Sequence, residues 1–296
     1  MRSEQEMMDL LLGFARGDER IRLVTLEGSR TNPNIPPDSF QDYDISYFVT
    51  DMASFKKDDA WLEPFGRRLM MQKPEAMELF EPELGNWFSY LMLFEDGSKV
   101  DLTLIPIEET EFYFTRNDGL VKVLLDKDRL IPHEVVATDS QYWIRKPTAG
   151  EFDDCCNEFW MVSTYVVKGL ARQEILFAID HLNEIARPNL LRMMAWQIGF
   201  THGYTFSLGK NYKFLQRYLP QNDWNTLLST YAVNSCEAVW ESLFTCYQLF
   251  RSCSRTLAQN LGYPYPHYDE AITRYTDFIY KSAMTNRFSN NAGQTS

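Results

Sequence analysis

The spacing of apolar and polar positions changes once along the chain, and the change predicts two kinds of structure. Before about residue 147, short segments such as Ile21–Glu27 and Asp42–Val49 alternate with a period of two, as half-buried strands do. After that point, apolar residues recur every three or four positions, which is typical of amphipathic helices. We therefore predict the α+β class: a mixed β-sheet with helices, followed by an all-helical domain.

The first domain, residues 1–146, is predicted to open with a helix that ends near Gly17, because Ser3 and Glu6 form a capping box. Further strands are expected at residues 87–94, 99–105 and 120–124, and the proline-rich segment 31–41 is expected to be a loop. Since an Asp-Gly pair joins the strands at 87–94 and 99–105, we expect antiparallel pairing there.

The helical domain is predicted to span residues 147–285, and its first helix is signalled by a capping box of Thr148 and Glu151. The polar stretch 286–296 is predicted to be a disordered tail. The expected helices cover residues 151–169, 171–186, 189–203, 210–219, 222–230, 235–261 and 268–283.

The chain is acidic, with 41 Asp and Glu against 29 Lys and Arg, and nearly all of the net charge of −12 falls in residues 1–146. Such a surface disfavours nucleic acids and suits metal ions or cationic small molecules. No apolar run is long enough to span a bilayer, and the first residues lack a signal-peptide pattern. Five cysteines at no metal-ligand spacing indicate a reducing compartment. We expect a cytoplasmic monomer with neither a nucleic acid nor a membrane as partner.

Three carboxylates are candidate catalytic groups because the predicted strands can point their side chains to one face of the sheet. Asp42 and Asp44 are two residues apart and share one strand face, while Tyr43 and Ile45 point the other way. Asp101 takes the same kind of place on a later strand. Clustered acids repel unless a cation lies between them, so we predict a Mg²⁺ site here.

A second candidate follows the first predicted strand, where Gly28 and Ser29 form a turn. Glycine lets backbone approach a phosphate, a serine hydroxyl supplies a donor, and Arg30 adds a positive charge beside them. Taken singly, an Asp-x-Asp pair is usually a solvated strand face and a Gly-Ser pair is usually a turn. Their order and spacing favour metal-assisted transfer from a nucleoside triphosphate.

This order resembles the signature of the nucleotidyltransferase superfamily that includes DNA polymerase β, carried here by Leu26–Ser29, Gln41–Ile45 and Lys99–Leu102. Over nearly the whole chain the sequence also resembles the bacterial aminoglycoside 6-adenylyltransferases, which confer streptomycin resistance. The matching segments are Arg22–Asn32, Phe40–Thr50, Glu151–Trp160 and Gly209–Leu215.

The resemblance implies transfer of AMP from ATP to the 6-hydroxyl of the streptidine ring of streptomycin, with release of pyrophosphate. Asp42, Asp44 and Asp101 would then be catalytic and hold Mg²⁺, with two ions expected, while Gly28, Ser29 and Arg30 would bind the triphosphate. Asp101 or a nearby acid would accept the proton of the attacking hydroxyl, and the residues leave this choice open.

The helical domain is expected to bind the departing pyrophosphate through a basic side chain. Lys210 is favoured because it is predicted to open a helix, where backbone N–H groups also attract anions. Lys168, Arg172 and Lys213 are further candidates. Because streptomycin carries guanidinium groups, its pocket should be acidic and partly aromatic. Candidates for that pocket are Trp87, Asp153, Asp154, Glu158, Glu174 and Asp180.

Two other functions fit the same residues. One is a nucleotidyltransferase of the same fold that acts on another aminoglycoside or another hydroxyl acceptor. The other is a module that binds nucleotide or antibiotic without turnover, although the presence of all three acids disfavours it.

Overall fold

The structure is a computed structural model that describes the backbone of residues 2–292 and the side chains of residues 2–285. It forms two compact units, which divide between Gln141 and Tyr142; the pattern change in the sequence predicts a domain boundary at 146–147. The predicted tail at 286–296 lies outside the residues whose side chains are described. No helix in the described part of the chain is long and apolar enough to cross a membrane.

The N-terminal unit contains six strands and three short helices. Helix α1 begins after Ser3, and the predicted capping box with Glu6 is present. The elements are α1 (Glu4–Gly17), β1 (Ile21–Glu27), β2 (Tyr43–Val49), α2 (Met52–Lys56), β3 (Arg68–Gln72), β4 (Phe88–Phe94), β5 (Lys99–Pro106), α3 (Thr110–Arg116) and β6 (Val121–Asp126).

The six strands form one sheet in the order β3-β4-β5-β2-β1-β6. Neighbouring strands are antiparallel except for β2 and β5, which are parallel and lie at the centre of the sheet. The predicted antiparallel pairing of the hairpin β4–β5 is therefore present, and the sheet is mixed. The parallel pair needs a long crossover, which α2, β3 and β4 supply.

Both faces of the sheet are covered, since alternate residues of each central strand point to opposite sides. On one face α1 packs on Tyr43, Ile45 and Tyr47, and the Tyr47 hydroxyl donates to the carbonyl of Leu11 at 2.7 Å. On the other face α3 places Tyr113 edge-on against Phe48, with ring centroids 5.0 Å apart.

Two elements of this unit lack a strong sequence signal. Strand β3 lies at the sheet edge, and its Leu69 and Met70 are exposed side by side, so no alternation marks it. Helix α3 is only seven residues long, shorter than the window over which helical periodicity is recognisable.

The C-terminal unit is helical, and the predicted capping box of Thr148 and Glu151 begins its first helix. The helices are α4 (Ala149–Ala171), α5 (Ile175–His181), α6 (Arg187–His202), α7 (Gln221–Ser229), α8 (Cys236–Leu261) and α9 (Tyr268–Ala292). The predicted helices 171–186 and 189–203 leave a break at Pro188, and the structure has no break there. Pro188 lies in the first turn of α6, and a π-helical turn at Leu182–Ala186 joins α5 to α6.

The prediction of an α-helix at residues 210–219 is wrong. The segment forms two short 3₁₀ turns, Lys210–Tyr212 and Leu215–Tyr218. Asn211 and Tyr212 have φ values of 54° and 60°, a left-handed conformation that an α-helix of L-residues cannot continue through. Lys210 therefore does not begin an α-helix, so the N–H groups of an α-helix N-terminus do not assist it in binding an anion.

The core of the C-terminal unit is built around α4 and α8, where Phe159 stacks on Phe250 with ring centroids 3.8 Å apart. Asp269 of α9 is 1% exposed, and it accepts hydrogen bonds from Arg251, Arg255 and the Tyr265 hydroxyl. Burial by itself would raise the pKa of Asp269, but these hydrogen bonds and the two arginine charges hold it below its usual value.

We predict that Asp269→Asn destabilises the protein by about 3 kcal/mol, because it leaves Arg251 without its counter-ion. The pKa of Asp269 is lower in the folded protein than in the unfolded chain. Its contribution to the free energy of unfolding is therefore complete above the unfolded pKa and is lost as the pH falls below about 4. Urea unfolding followed by far-UV circular dichroism measures both effects. The control is Glu270→Gln, which changes an exposed neighbour and should cost no more than about 0.5 kcal/mol. Equal losses in the two variants would contradict the prediction.

Candidate active site

Two of the three predicted acids face each other across the parallel strands of the sheet. Asp44 of β2 pairs in register with Asp101 of β5, so both carboxylates project from the same face of neighbouring strands. Val100 and Leu102 on the opposite face are fully buried, which fixes the side on which Asp101 must lie.

The third acid, Asp42, lies directly before β2 and joins this group through a lysine. Lys99 Nζ donates to Asp42 Oδ2 and to Asp101 Oδ2, each at 2.7 Å. Lys99 is two residues from Asp101 and therefore shares its strand face. The structure thus brings all three predicted acids together at the start of the two central strands, with a cation that sequence reasoning missed.

The carboxyl group of Asp44 is in an unfavourable place for a negative charge. Burial, followed by the charges of Asp101, Glu27 and Asp42, raises the pKa of Asp44 to about 6. Lys99 opposes this shift only in part. The site is therefore short of positive charge around its innermost carboxylate.

Glu27 is a fourth acid beside this group, and the sequence analysis did not identify it. It ends β1 and pairs in register with Asp44 on β2. Its Oε1 accepts hydrogen bonds from the hydroxyls of Tyr113 at 2.7 Å and Thr25 at 2.8 Å. Burial raises its pKa, and these hydrogen bonds offset only part of that effect. Its position directly before Gly28 was the signal available in the sequence.

Gly28 and Ser29 form a tight 3₁₀ turn directly after β1, as the motif predicts. Gly28 has a φ of 67°, and a Cβ at this position would lie 2.4 Å from Asp44 Oδ2. Glycine is required here for two reasons: the left-handed backbone and the close approach of the Asp44 carboxylate.

Arg30, which the resemblance places on the triphosphate, has its guanidinium turned to the protein. The side chain is 7% exposed. Its Nε and Nη2 donate to the carbonyls of Asp42 and Gln41, and it stacks 3.7 Å above the Tyr43 ring. In this structure Arg30 holds the start of β2, and its contact with a phosphate stays a prediction.

The chemistry of the donor set fits a hard divalent cation. Carboxylate oxygens are the ligands that such ions prefer, and Asp101 Oδ1 is buried without a hydrogen-bond partner. Among the described residues, however, no group of three or more His, Cys, Asp or Glu is already arranged to hold a metal ion. Lys99 Nζ bonds to oxygens of two of the three acids that would have to bind it.

The basic residues predicted in the C-terminal unit are exposed and scattered. Lys168 lies in the last turn of α4 and Arg172 caps that helix, where it is 4.0 Å from Glu174. Lys210 and Lys213 belong to the irregular segment after Gly209. The structure of this unit by itself does not gather these side chains into one site.

A cavity of about 650 Å³ opens beside the first half of α4. Of the side chains predicted to bind a cationic acceptor, only Asp154 and Glu158 line it. Its other lining residues are Glu151, Cys155, Asn157, Asn189, Arg192 and Trp196. Tyr212 of the Gly209–Leu215 segment is half-buried and packs against the core that includes Cys155 of this wall. Lys168 is about 15 Å further along α4 than Glu158.

The N-terminal unit has the features of a nucleotidyltransferase domain. A Gly-Ser turn follows the first strand of its mixed sheet, and this turn lies next to opposed acids on two parallel strands. The helical unit that follows this domain completes the arrangement that the sequence resemblance implies. Similarity to known proteins shows which family of this class the chain belongs to.

A family model described as streptomycin adenylyltransferase matches residues 1–279. Aminoglycoside 6-adenylyltransferase of Bacillus subtilis (strain 168) is 72% identical over 282 residues, which cover 95% of this chain and 99% of that protein. The protein of the same name from Campylobacter jejuni is 58% identical over 275 residues, with coverages of 93% and 95%. A crystal structure of an aminoglycoside 6-adenyltransferase from Bacillus subtilis is 65% identical and covers 95% of this chain and 99% of its own, with a TM-score of 0.48.

The chain belongs to the streptomycin adenylyltransferase family and is an enzyme of the nucleotidyltransferase class. The predicted fold class and family resemblance are confirmed. Membership also implies a nucleotide co-substrate.

We predict that Gly28→Ala lowers nucleotidyl transfer on the order of a hundredfold, because the new methyl group must displace the Asp44 carboxylate. The matched control is Gly262→Ala, since Gly262 also has a positive φ, in the left-handed helical region, but has open space where a Cβ would lie. Both variants should lose about 1 kcal/mol of stability from backbone strain. Steady-state rates and thermal unfolding separate the two effects, and a Gly28→Ala enzyme as active as the control would refute the role of the close approach.

Proposed function

We propose that this enzyme transfers AMP from ATP to the 6-hydroxyl of the streptidine ring of streptomycin, releases pyrophosphate and so inactivates the antibiotic. Family membership supports an aminoglycoside as acceptor. The observation that most supports the proposal is the in-register pair of Asp44 and Asp101, because two carboxylates on one sheet face suit the metal that phosphoryl transfer commonly uses.

In the proposed reaction the acceptor oxygen forms a bond to the α-phosphorus of ATP, and the bond from that phosphorus to the bridging oxygen breaks. The hydroxyl proton passes to a carboxylate, for which we propose Asp101, because its Oδ1 has no hydrogen-bond partner. The electron pair of the broken bond leaves with pyrophosphate.

Asp42, Asp44 and Asp101 are proposed to hold Mg²⁺, with two ions in the complete site. When bound, these ions neutralise the negative charge that builds on the attacking and leaving oxygens. The chain itself contributes the rigid placement of the acids, since Arg30 secures the backbone at Asp42 and the sheet register fixes Asp44 and Asp101.

The Ser29 hydroxyl and the N–H groups of Ser29 and Arg30 are proposed to bind the triphosphate, because a tight turn after a strand directs several donors to one side. The N–H of Gly28 itself donates to the carbonyl of Leu120, so the contribution of Gly28 is its left-handed backbone. Lys210 is proposed for the departing pyrophosphate, with Lys168 and Arg172 as weaker candidates. Its support is its place in a segment that matches the family and whose Tyr212 packs against the same core as Cys155 of the cavity wall.

The α4 cavity is proposed to receive the cationic ring of the acceptor. Guanidinium groups pair well with carboxylates and stack on aromatic faces, and the cavity offers Glu151, Asp154, Glu158 and Trp196. Its volume lies within the ordinary range for small-molecule sites.

The five cysteines are free thiols, which supports a reducing compartment and hence the cytoplasm.

We predict that Asp101→Asn lowers AMP transfer by at least a thousandfold, while the fold is retained, because one metal ligand and the proton acceptor are lost together. Release of pyrophosphate from labelled ATP in the presence of streptomycin gives the rate, and circular dichroism checks the fold. A fully active variant would rule out the proposed mechanism. Wild-type enzyme that binds ATP and streptomycin without releasing pyrophosphate would instead indicate a binding module.

For the acceptor we predict that Asp154→Asn raises the KM for streptomycin on the order of tenfold and leaves the KM for ATP unchanged. Asp153→Asn is the matched control, because Asp153 is the exposed neighbour on the same helix and does not line the cavity. Equal KM values for the two variants would remove the cavity from the proposal. A panel of aminoglycosides tested with wild-type enzyme would show whether another acceptor is preferred.

A further inference from the structure

Lys99 is the basic group placed most directly among the acids of the site, and the proposed reaction gives it no role. Its Nζ lies 2.7 Å from Asp42 Oδ2 and 2.7 Å from Asp101 Oδ2. Both partners are acids proposed to bind metal. The ammonium group therefore makes the electrostatic contacts that a divalent ion would make with these two oxygens.

An ammonium group and a metal ion cannot bind these oxygens in the same way at once. Mg²⁺ takes carboxylate oxygens at about 2.0–2.1 Å and imposes its own octahedral directions. Each oxygen held by Lys99 already accepts a charge-assisted hydrogen bond, which occupies one of its lone-pair directions. The like charges of an ammonium and a divalent ion would also repel strongly over such short distances.

Lys99 is placed so that it can leave. It is the first residue of β5, its side chain is 37% exposed, and lysine has four rotatable methylene carbons. Asp101 by contrast is fixed by the sheet register. When a cation enters, Lys99 is therefore the partner that can move away, whereas Asp101 stays in place.

We propose that Lys99 is a resident counter-ion, which holds Asp42 and Asp101 together while no metal is bound and is displaced when a divalent cation binds. This inference rests on the metal site of the proposed function. Lys99 is thus a positioning residue: it preserves the site in the empty enzyme, and it weakens metal binding because each incoming ion must break its two ion pairs.

The test is Mn²⁺ binding without nucleotide, followed by electron paramagnetic resonance. Lys99→Met keeps the length of the side chain and removes its charge, so Mn²⁺ should bind about tenfold more tightly, or about 1.4 kcal/mol. Lys99→Gln is a second variant with the same expectation. Lys57→Met, at an exposed lysine of the same unit, should bind Mn²⁺ as the wild type does. Unchanged or weaker binding in both Lys99 variants would overturn the proposal.

Thermal unfolding gives a second readout that does not depend on catalysis. Without metal, Lys99→Met should melt about 2–4 °C below the wild type because the acids lose their counter-ion, and saturating Mn²⁺ should remove the difference. A deficit that persists at saturating Mn²⁺ would mean a purely structural lysine and would contradict displacement.

The wild-type protein provides a direct measurement of displacement. Labelling with an amine-reactive reagent, read by mass spectrometry, should modify Lys99 several-fold faster when Mn²⁺ is present, while Lys57 serves as internal reference. An equal or slower rate would overturn the proposal. If wild-type protein binds no Mn²⁺, or if Asp44→Asn binds it equally well, the metal site of the proposed function fails. If Asp44→Asn weakens Mn²⁺ binding and the Lys99 variants bind Mn²⁺ as the wild type does, only the proposed counter-ion role of Lys99 is wrong.

Discussion

The parallel pairing of β2 with β5 is the constraint on which the rest of the site depends. It sets Asp44 beside Asp101 on one sheet face, because Tyr43, Ile45, Val100 and Leu102 must be buried on the other. A slip of one residue in either strand would turn its acid into the core. The hydrophobic effect on one face of the sheet thus fixes the chemistry on the opposite face.

This placement concentrates negative charge, and the surrounding residues limit the cost. Lys99 neutralises part of it through two ion pairs, and Glu27 is stabilised by the hydroxyls of Tyr113 and Thr25. The carboxyl of Asp44 nevertheless keeps a pKa raised to about 6. A site that is electrostatically unsatisfied when empty is one in which a divalent cation gains most by binding.

The C-terminal unit follows a different principle. Its helices are held by aromatic stacking and by the buried Asp269 network, and its open surface beside α4 is acidic. The long helix α4 uses its apolar face, with Phe159, for the core, so Asp154 and Glu158 on the other side are free to line a cavity. One helix therefore contributes both to the core and to the wall of the cavity.

The sequence by itself determined the central strands, most of the long helices, the fold class and the family, and it picked out Gly28, Ser29 and the three acids. These follow from local rules: strand alternation, capping boxes at Ser3 and Thr148, and a motif that is contiguous in the chain. Only the tertiary structure decided that Glu27 and Lys99 join the acids, that Arg30 turns to the backbone, and that residues 210–219 form 3₁₀ turns in place of an α-helix. The reason is that strand register, left-handed backbone and the partners of a charge depend on residues distant in the chain, which no local pattern records.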